Sequence, residues 1–536
     1  MAMVLFDSQM EVAPEGEGGN AKNIKENDCT MSTILQPTAM TRHEMSLHQA
    51  AKDDEASTVK QLLSNRVDVN CRNNLDRSAL HLAAANGNTT VLRTLLEHGA
   101  DLELKDKYGM SPVLWASWCG HLDALKMLVS AGATTMCTNK QGQGVLHCAV
   151  QNNNVSVMNF TSESIESFNV NEVEKDDRTS LHMAARAGHL DSLTRLIDLG
   201  CDISKKDKCG ATAVHCGAEY GHHECVKRLL MVGVEIDDRD VEGRTALHLA
   251  AEGGYVDVVD VLLDYAAGPN TETIRETTPL HLAAANGHRD ACARLIKAGA
   301  TTNSQNFQGN TPLHLSVMND QKDVTALLLD NKCEVDLPNN RLQTALHMAV
   351  ESGFQDVVEV LLAGGASLDT KEKSGKTALQ LASRGSFITI VDMLIKAERY
   401  YATARDYHEK ELDSIDPHRY LRTPNHPSAN QMKDILWRLA TKQLKPNDWK
   451  KLAMHWGFTP EHIRAIEHQY TGPSSYREHG YRLMLVWLHG VRKDQNVMRL
   501  LFEALVAIDR RNLAEQIRRH TNPKEKPCVQ TLCKLM

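Results

Sequence analysis

The chain has 536 residues, with 60 Lys and Arg against 68 Asp and Glu, 42% hydrophobic residues, 15 Pro and 13 Cys. A length several times that of a typical domain indicates a modular or repetitive chain rather than one core. The plentiful apolar residues, the few prolines and the net charge of only −8 exclude collagen-like, mucin-like and wholly disordered proteins.

The first residues, MAMVLFDSQMEVAPEGEGG, lack a basic start, and their apolar run is too short for a secretory signal. No stretch approaches the roughly 18 apolar residues that a membrane helix needs. The cysteines include no C-x-x-C pair, so we expect reduced thiols and a cytoplasmic protein, with the nucleus as the alternative location. We predict that residues 1–43 form a disordered N-terminal segment.

A short sequence motif around a histidine then recurs along the chain. Its register positions lie 33 residues apart, except for one interval of 35 residues, and they are His48, His81, Leu114, His147, His182, His215, His248, His281, His314, His347 and Gln380. The surrounding text reads SALHLAAANG from Ser78 and TPLHLAAANGH from Thr278, and a second apolar segment such as VVDVLL (258–263) follows. Such a fixed period is typical of repeat architectures.

This text resembles the ankyrin repeat in about eleven copies, which we place at residues 44–404. The resemblance implies an all-α solenoid of helix-turn-helix repeats joined by β-hairpin loops. Leu-x-x-Ala-Ala runs form a short helix with a small-residue face, and Asp/Asn/Gly-rich segments such as LKDKYG (104–109) suit a projecting turn. Stacked copies bury a continuous core and present one long concave surface.

The recurring histidines admit a metal-binding or catalytic interpretation and a structural one. Side chains one repeat apart are separated by roughly 10 Å, too far to share a metal ion. By family resemblance, the Thr opens the first helix and the imidazole bonds to nearby backbone. We therefore predict no catalytic residues, no metal and no cofactor.

Two copies depart from the pattern. The third has Leu114 in the histidine register and two tryptophans on its first helix. Trp115 takes a core register, whereas Trp118 lies at a variable position that is either a binding anchor or packing between repeats. The fourth copy, near residues 144–178, has two extra residues and few large aliphatic side chains, so we predict a weak point there.

Variable positions on the first helices are candidates for a protein-binding concave face. They are Trp118, Arg186, Glu219, Tyr220, Glu252, Glu351 and Arg384. For any one charged residue, ordinary solvated surface is the competing interpretation. The segment LLSNRVDVN also resembles the context in which ankyrin repeats are hydroxylated on asparagine, which makes Asn70 a candidate modification site.

The period stops near Glu398, and a charged, proline-containing segment predicts a linker at residues 405–429. Beyond it the apolar spacing predicts six short helices, followed by a flexible tail at residues 520–536. The segments DWKKLAMHWGFTPEHIRAIE (448–467) and YRLMLVWLHGV (481–491) resemble the death domain, a six-helix bundle, which we place at residues 430–519. The residues of these segments that are predicted to be core are Trp449, Leu452, Ala453, Ile463, Ile466, Leu483 and Trp487.

Ankyrin repeats followed by a death domain resemble the ankyrin repeat and death domain-containing protein 1 group. Residues 430–522 carry 16 Lys and Arg against 9 Asp and Glu, a net of +7, so the other residues carry −15 of the total of −8. Since death domains associate with other members of their fold through charged patches, the resemblance implies a partner that contains a death domain. The candidate basic surface comprises Lys450, Lys451, Arg492, Lys493, Arg510 and Arg511, with solvated surface as the alternative.

No phosphate-binding loop, nucleophile elbow or paired-carboxylate motif is found, so we predict that the protein is not an enzyme. The first hypothesis is a scaffold or adaptor in signal transduction, whose array binds one protein and whose death domain recruits another. The alternatives are an inhibitor that masks a basic segment of a transcription factor, and an autoinhibited scaffold whose acidic array covers its own basic domain. Nucleic acid is disfavoured as a partner because no recognition motif accompanies the basic charge, and no insertion into a membrane is expected.

Overall fold

A computed structural model describes residues 40–165, 168–406, 429–491 and 495–521. The predicted N-terminal segment, linker and tail therefore lie almost wholly outside the described residues. The chain divides into two compact units, Met1–Thr271 and Glu272–Met536.

The first unit contains seven helix pairs within its described residues. They are α1 (Arg42–Lys52), α2 (Ala56–Ser64), α3 (Ala79–Asn86), α4 (Thr89–Glu97), α5 (Pro112–Cys119), α6 (Leu122–Ser130), α7 (Val145–Gln151), α8 (Val155–Ser164), α9 (Ser180–Ala187), α10 (Leu190–Asp198), α11 (Ala213–Glu219), α12 (His223–Val232), α13 (Ala246–Gly253) and α14 (Val256–Asp264). Neighbouring pairs stack, so that first helices contact first helices and second helices contact second helices.

The second unit continues with four helix pairs and a helical bundle. The pairs are α15 (Pro279–Ala285), α16 (Arg289–Lys297), α17 (Pro312–Met318), α18 (Lys322–Asp330), α19 (Ala345–Ser352), α20 (Gln355–Ala363), α21 (Ala378–Arg384) and α22 (Ile388–Asp406). The bundle comprises α23 (Ala429–Arg438), a π-helical turn (Leu439–Gln443), α24 (Asp448–His455), α25 (Pro460–His468), α26 (Ser475–His489), α27 (Val497–Ala507) and α28 (Arg511–Thr521).

Small and branched residues explain how each pair forms. Helix α3 buries Leu80, Ala83 and Ala84, and α4 buries the aliphatic stripe Val91, Leu92 and Leu95. Alanines let the first helices of stacked repeats approach closely, while the stripe on the second helix closes the core. In the fourth copy, Thr161 stands where α4 has Leu95, and its buried hydroxyl donates to Met158 O at 2.8 Å.

The loops between pairs are closed by one acidic or amide side chain. Asp106 Oδ1 accepts from the backbone N–H groups of Tyr108 (2.9 Å) and Met110 (2.8 Å), and Asp106 N donates to Met110 O at 3.0 Å. The same pattern of side-chain bonds recurs at Asn73, Asn139, Asp207, Asp240, Asn306 and Asn339. Such turns are the reason that Asp and Asn dominate these segments.

These loops are turns rather than the expected β-hairpins with paired strands. Among the described residues, β-pairing is limited to one isolated bridge between Val173 and Thr179. The physical reason is that the side-chain bonds close each loop within five residues. The amide at the loop tip bonds sideways to the next tip, as Lys107 N does to Leu75 O at 2.9 Å, which leaves no room for a ladder.

The bundle at the end of the second unit has a core of aromatic and aliphatic side chains. Trp449 and Leu452 of α24 and Leu483 of α26 are buried, and Trp456 stacks on Trp487 with ring centroids 4.3 Å apart. Trp449, Leu452, Leu483 and Trp487 are among the residues predicted to be core from their helical spacing. Thr459 accepts from His462 N at 3.2 Å and so caps α25, as expected for a Thr that precedes a Pro at the first helical position.

Candidate functional site

The anchor histidines use both ring nitrogens for structural hydrogen bonds. His81 Nδ1 accepts from Ser78 N at 3.1 Å, and its Nε2 donates to Met110 O, 29 residues further along the chain, at 3.1 Å. His182, His215, His281 and His314 each contact the corresponding carbonyl of the following copy at 3.0–3.2 Å. The imidazole thus ties one repeat to the next, which confirms the interpretation of its role as backbone bonding.

Burial keeps these rings neutral. It lowers the pKa of His81, His147 and His281 to about 4, against an ordinary value of 6.5, because a charged ring loses its hydration inside the array. His147 differs from the others, since no described residue offers a hydrogen-bond partner to its Nε2.

A buried charged cluster joins the loops that precede the second and third copies. Asp106 Oδ2 accepts from Arg77 Nε at 3.2 Å and from Trp115 Nε1 at 3.1 Å, and the Arg77 guanidinium lies 4.7 Å from the Trp115 ring centre. Trp115 is fully buried, as predicted for its register. Leu114, in the histidine register, is fully buried.

Trp118 departs from the expectation of an exposed binding anchor. Its side chain is only 6% exposed, and the amide side chains of Asn152 and Asn154 donate to its backbone oxygen at 2.8 and 2.9 Å. The reason is that α5 packs against the first helices of the copies on either side, which enclose the indole. Packing between repeats, the alternative considered for this residue, is what its burial indicates.

The other variable positions of the first helices are exposed. They are Arg186, Glu219, Tyr220, Glu252, Glu351 and Arg384. The Arg186 guanidinium lies 4.9 Å from the Tyr220 ring centre, so the two form a cation–π pair on the surface of the first unit. Glu252 lies 3.9 Å from Arg244, and Glu351 accepts from the Gln343 amide at 3.0 Å.

One further exposed residue at the variable position of a first helix was not among the predicted binding residues. Met318 stands 33 residues before Glu351, and its side chain is 45% exposed at the end of α17. Apolar residues on the loop tips were missed too, among them Phe307, which is 50% exposed. Both residues stand at repeat positions that are exposed in other copies, so the repeat register indicated them. The predicted binding residues were instead mainly charged side chains.

Asn70 makes a bond between neighbouring loops. Its Oδ1 accepts from Asp101 N at 2.9 Å, and Asn171 does the same for Asp202 N at 2.8 Å. The Asn70 side-chain amide therefore connects two neighbouring repeats by a hydrogen bond. Hydroxylation of Asn70 stays a prediction from resemblance.

The predicted basic surface of the bundle divides into paired and free residues. Arg510 makes a bidentate ion pair with the buried Asp448, at 2.9 and 3.0 Å, and Lys450 bonds to Glu467 Oε1 at 2.5 Å. Lys451 and Arg511 are exposed. The remaining candidates, Arg492 and Lys493, lie outside the described residues.

A seam joins the last repeat to the bundle inside the second unit. Arg482 of α26 donates to Asp392 Oδ1 at 2.6 Å and to Ile388 O at 3.0 Å, both on α22. His462 Nε2 lies 2.7 Å from Glu398 Oε2. Basic residues of the bundle thus meet acidic residues of the array.

Further contacts extend the seam. Arg399 donates to Trp456 O at 3.1 Å and covers the Phe458 ring at 4.1 Å, while the Gln469 amide donates to Ser383 O at 3.2 Å. Burial raises the pKa of Asp392, although Arg482 opposes the shift, and burial lowers the pKa of Lys396. Beside these contacts is a cleft of about 410 Å³, bordered by Arg384 on the array and by Arg464 and His468 on the bundle.

Two further findings concern the described part of the chain. No group of three or more His, Cys, Asp or Glu side chains within it is placed to hold a metal ion. None of its helices combines the length and the apolar character needed to cross a membrane.

Comparison with known families matches these two architectures. The family described as ankyrin repeats (3 copies) matches residues 47–139, 131–207, 181–273, 267–339 and 331–406. The death domain matches residues 433–521. Both are protein-interaction modules. Since the first match covers more than half of the chain, the protein belongs to the ankyrin-repeat family and carries a death domain after its array.

Proposed function

We propose that the protein is a non-enzymatic scaffold in signal transduction, with the array binding one protein and the death domain recruiting another by homotypic contact. The observation that carries this proposal is the division of each repeat into buried anchors and exposed variable positions. His215 is buried with both nitrogens bonded, whereas Glu219, four residues later on the same helix, is exposed. A side chain that the fold does not use is free to select a partner.

The order of modules supports a finer assignment. We propose membership of the ankyrin repeat and death domain-containing protein 1 group, with an array at residues 44–404, a linker at 405–429 and a death domain at 430–519. The helix pairs that end with α22 at Asp406 and the bundle that begins with α23 at Ala429 are consistent with these bounds. A cytoplasmic location, with the nucleus as the alternative, fits the unpaired cysteines of the described residues.

Charge reversal in the full-length protein tests whether the two modules bind different partners. The array variant is Glu219→Lys with Glu252→Lys, and the death-domain variant is Lys451→Glu with Arg511→Glu. Arg499→Glu serves as a control, since the Arg499 side chain is 79% exposed and bonds only to Glu503 on its own helix among described residues. Captured proteins are then compared by quantitative mass spectrometry.

We expect each double variant to lose its own set of captured proteins, and the control to lose none. If both variants lose the same set, or if neither loses any, the proposal of two separate binding modules is wrong. Circular dichroism of each variant checks that the fold is kept.

The seam favours a second candidate function, the autoinhibited scaffold. Here the last helix of the array, through Asp392 and Glu398, covers the face of the death domain that carries Arg482 and His462. A face engaged within the chain is not available to another death domain. We propose that release of the seam exposes this face.

Mutation of the seam tests whether the contact between the array and the death domain is permanent or can be released to expose the death-domain face. In Asp392→Asn with Glu398→Gln, autoinhibition predicts more capture of death-domain proteins than by the native chain. The Lys451→Glu and Arg511→Glu changes, added to this background, report which face the captured proteins use. Unchanged capture after seam mutation would contradict autoinhibition and leave the scaffold proposal standing.

A further inference from the structure

The death domain carries a cavity of about 490 Å³ between the π-helical turn and the start of α26. Its lining includes two aromatic rings, Trp437 and Tyr470, and two cations, Lys442 and Arg477. Ligand sites in proteins have volumes of roughly 300–1,000 Å³ and combine apolar walls with a few polar groups. The size and the lining of this cavity are therefore those of a binding site.

Trp437 is exposed, although the same domain buries other tryptophans. Its side chain on α23 is 46% exposed, whereas Trp449 and Trp487 are 2% and 5% exposed. Helix α23 contributes Met432 and Leu436 to the core instead. The core of the domain thus does not account for the Trp437 indole. Exposed tryptophans are frequent anchors of bound partners, because a large rigid ring is buried when the partner binds.

The π-helical turn places Lys442 beside this indole. Leu444 N donates to Leu439 O at 3.0 Å, which is a bond between residues five apart. The wide turn brings the Lys442 ammonium to 6.0 Å from the centre of the Trp437 ring, whereas residues five apart in a continuous α-helix point to different faces. Because π-helical turns are frequent at functional sites, this irregularity is a second indication of a binding surface.

The cavity and its surroundings are basic. Residues 429–447 and 469–481, which supply the lining, carry five Lys or Arg and two Asp or Glu, a net charge of +3. Lys442 and Arg477 are exposed, and neither forms an ion pair with another described residue. Glu478 also lines the cavity and is one of the two acidic residues in this count. The charge therefore favours an anionic ligand.

Hydroxyl groups at the cavity favour a phosphate over a carboxylate. Thr471 and Ser474 line it, are exposed, and donate no side-chain hydrogen bond to another described residue. Together with Lys442 and Arg477 they provide donors on four side chains. A phosphate monoester carries a charge of about −1.5 to −2 and three acceptor oxygens, and it uses these donors more fully than a carboxylate with two oxygens. Arg is also well suited to bind two phosphate oxygens at once.

We propose that this cavity binds a phosphorylated segment of a partner protein. Lys442 and Arg477 hold the phosphate, which also accepts hydrogen bonds from the hydroxyls of Thr471 and Ser474. An apolar residue beside the phosphorylated one packs on the exposed ring of Trp437. The site adds a phosphorylation-dependent partner to the proposed scaffold function.

The test uses the full-length protein and a short fluorescent peptide that contains phosphoserine next to leucine. Matched peptides carry serine or glutamate in place of the phosphoserine, and binding is measured by fluorescence anisotropy. Adenosine monophosphate and vesicles that contain phosphatidylserine are tested as two other sources of phosphate.

Two double variants that remove the same charge distinguish the cavity from general basic charge. Lys442→Gln with Arg477→Gln removes the two cations that line the cavity. Lys433→Gln with Arg438→Gln removes two exposed cations of α23 that do not line it. A third variant, Trp437→Ala, removes the indole. Circular dichroism and the melting temperature of each variant check that the fold is kept.

We expect saturable binding of the phosphopeptide and at least about tenfold weaker binding of the serine and glutamate peptides, because charge-assisted hydrogen bonds to the phosphate are lost. The Lys442 and Arg477 variant loses this difference between peptides, whereas the control double variant keeps it. Trp437→Ala weakens binding of the phosphopeptide and the serine peptide by the same factor, since the indole contacts the apolar neighbour and not the phosphate.

Equal affinity for the phosphopeptide and the serine peptide would overturn the inference. Equal losses in the two double variants would also overturn it, because they indicate general electrostatic attraction. Tighter binding of adenosine monophosphate or of the vesicles than of the phosphopeptide would assign the cavity to another ligand and equally contradict the proposal.

Failure of this inference is distinguishable from failure of the scaffold proposal. Lys451 and Arg511 do not line the cavity, so the proposed homotypic contact does not depend on it. If the captured proteins depend on Lys451 and Arg511 but not on Lys442 and Arg477, the death domain is still a recruiting module and only the phosphate site is wrong.

Discussion

Arg482 in the death domain and Asp392 in the last helix of the array form an ion pair of 2.6 Å, and the guanidinium side chain is only 6% exposed. Two of its other nitrogens, Nε and Nη1, have no partner among the described residues. Removal of Asp392 leaves the guanidinium buried without compensation, which costs more than an intact pair contributes, whereas removal of Arg482 leaves a carboxylate whose side chain is 25% exposed.

We therefore predict that Arg482→Met uncouples the death domain from the last repeat. The expected loss is about 1–3 kcal/mol of unfolding free energy, because the Asp392 side chain is 25% exposed, followed by two separate thermal transitions in calorimetry. Asp392→Asn combined with Arg482→Met is expected to be less destabilising than the sum of the single changes, since no charge is then left unpaired. Arg499→Met, at an exposed pair, is the control. A single unshifted transition in Arg482→Met argues against coupling through this pair.

The buried anchor histidines predict that the protein loses stability in mild acid. The pKa of buried His81, His147 and His281 is about 4 in the folded chain, below the ordinary 6.5, so the unfolded chain binds more protons as the pH falls. The histidine contribution is thus complete above about pH 6.5 and declines as the pH falls towards about 4. Urea unfolding across this range measures the decline.

A matched control comes from the chain itself, because Gln380 occupies the histidine register of the last copy and accepts from Thr377 N at 3.4 Å. His281→Gln is expected to reduce the dependence of the urea midpoint on pH, since one titrating ring is removed. An unchanged pH dependence in this variant would show that other groups account for the acid sensitivity.

Much of the fold could be predicted from period and composition alone. The 33-residue period locates the helix pairs, and the spacing of Trp449, Leu452 and Leu483 identifies the bundle core. The burial of Trp118 could not be predicted, because it depends on how closely the neighbouring first helices approach. The contacts between the last repeat and the bundle could not be predicted either, because Arg482 and Asp392 are 90 residues apart and no repeat period relates them.

The basic surface of the death domain shows the same limit. Sequence groups Arg510 with Arg511, yet Arg510 holds the buried Asp448 and Arg511 is exposed. Arg510→Ala is expected to destabilise the domain by about 3–5 kcal/mol, whereas Arg511→Ala changes stability by no more than about 0.5 kcal/mol. Thermal unfolding followed by circular dichroism compares the two. Equal effects would show that the Asp448 pair is not a stabilising contact.

Two glycines of one repeat separate backbone strain from steric overlap. Gly188 and Gly200 have φ of 73° and 74°, but a Cβ at Gly188 would lie 2.5 Å from the ring of His222, whereas a Cβ at Gly200 would meet no atom within 4 Å. Gly200→Ala is expected to cost about 1–2 kcal/mol from the left-handed conformation alone.

Gly188→Ala adds the displacement of His222, whose Nε2 bonds to Arg186 O at 3.0 Å, so the expected cost is larger by about 1–3 kcal/mol. Because Arg186 and Tyr220 lie beside this contact, Gly188→Ala is also expected to weaken capture of the array's partners, while Gly200→Ala leaves capture intact. Urea midpoints and the capture assay on the same pair of variants measure both effects. Equal stability losses would mean that the imidazole moves aside without cost, and the link from this turn to the exposed pair would then be absent.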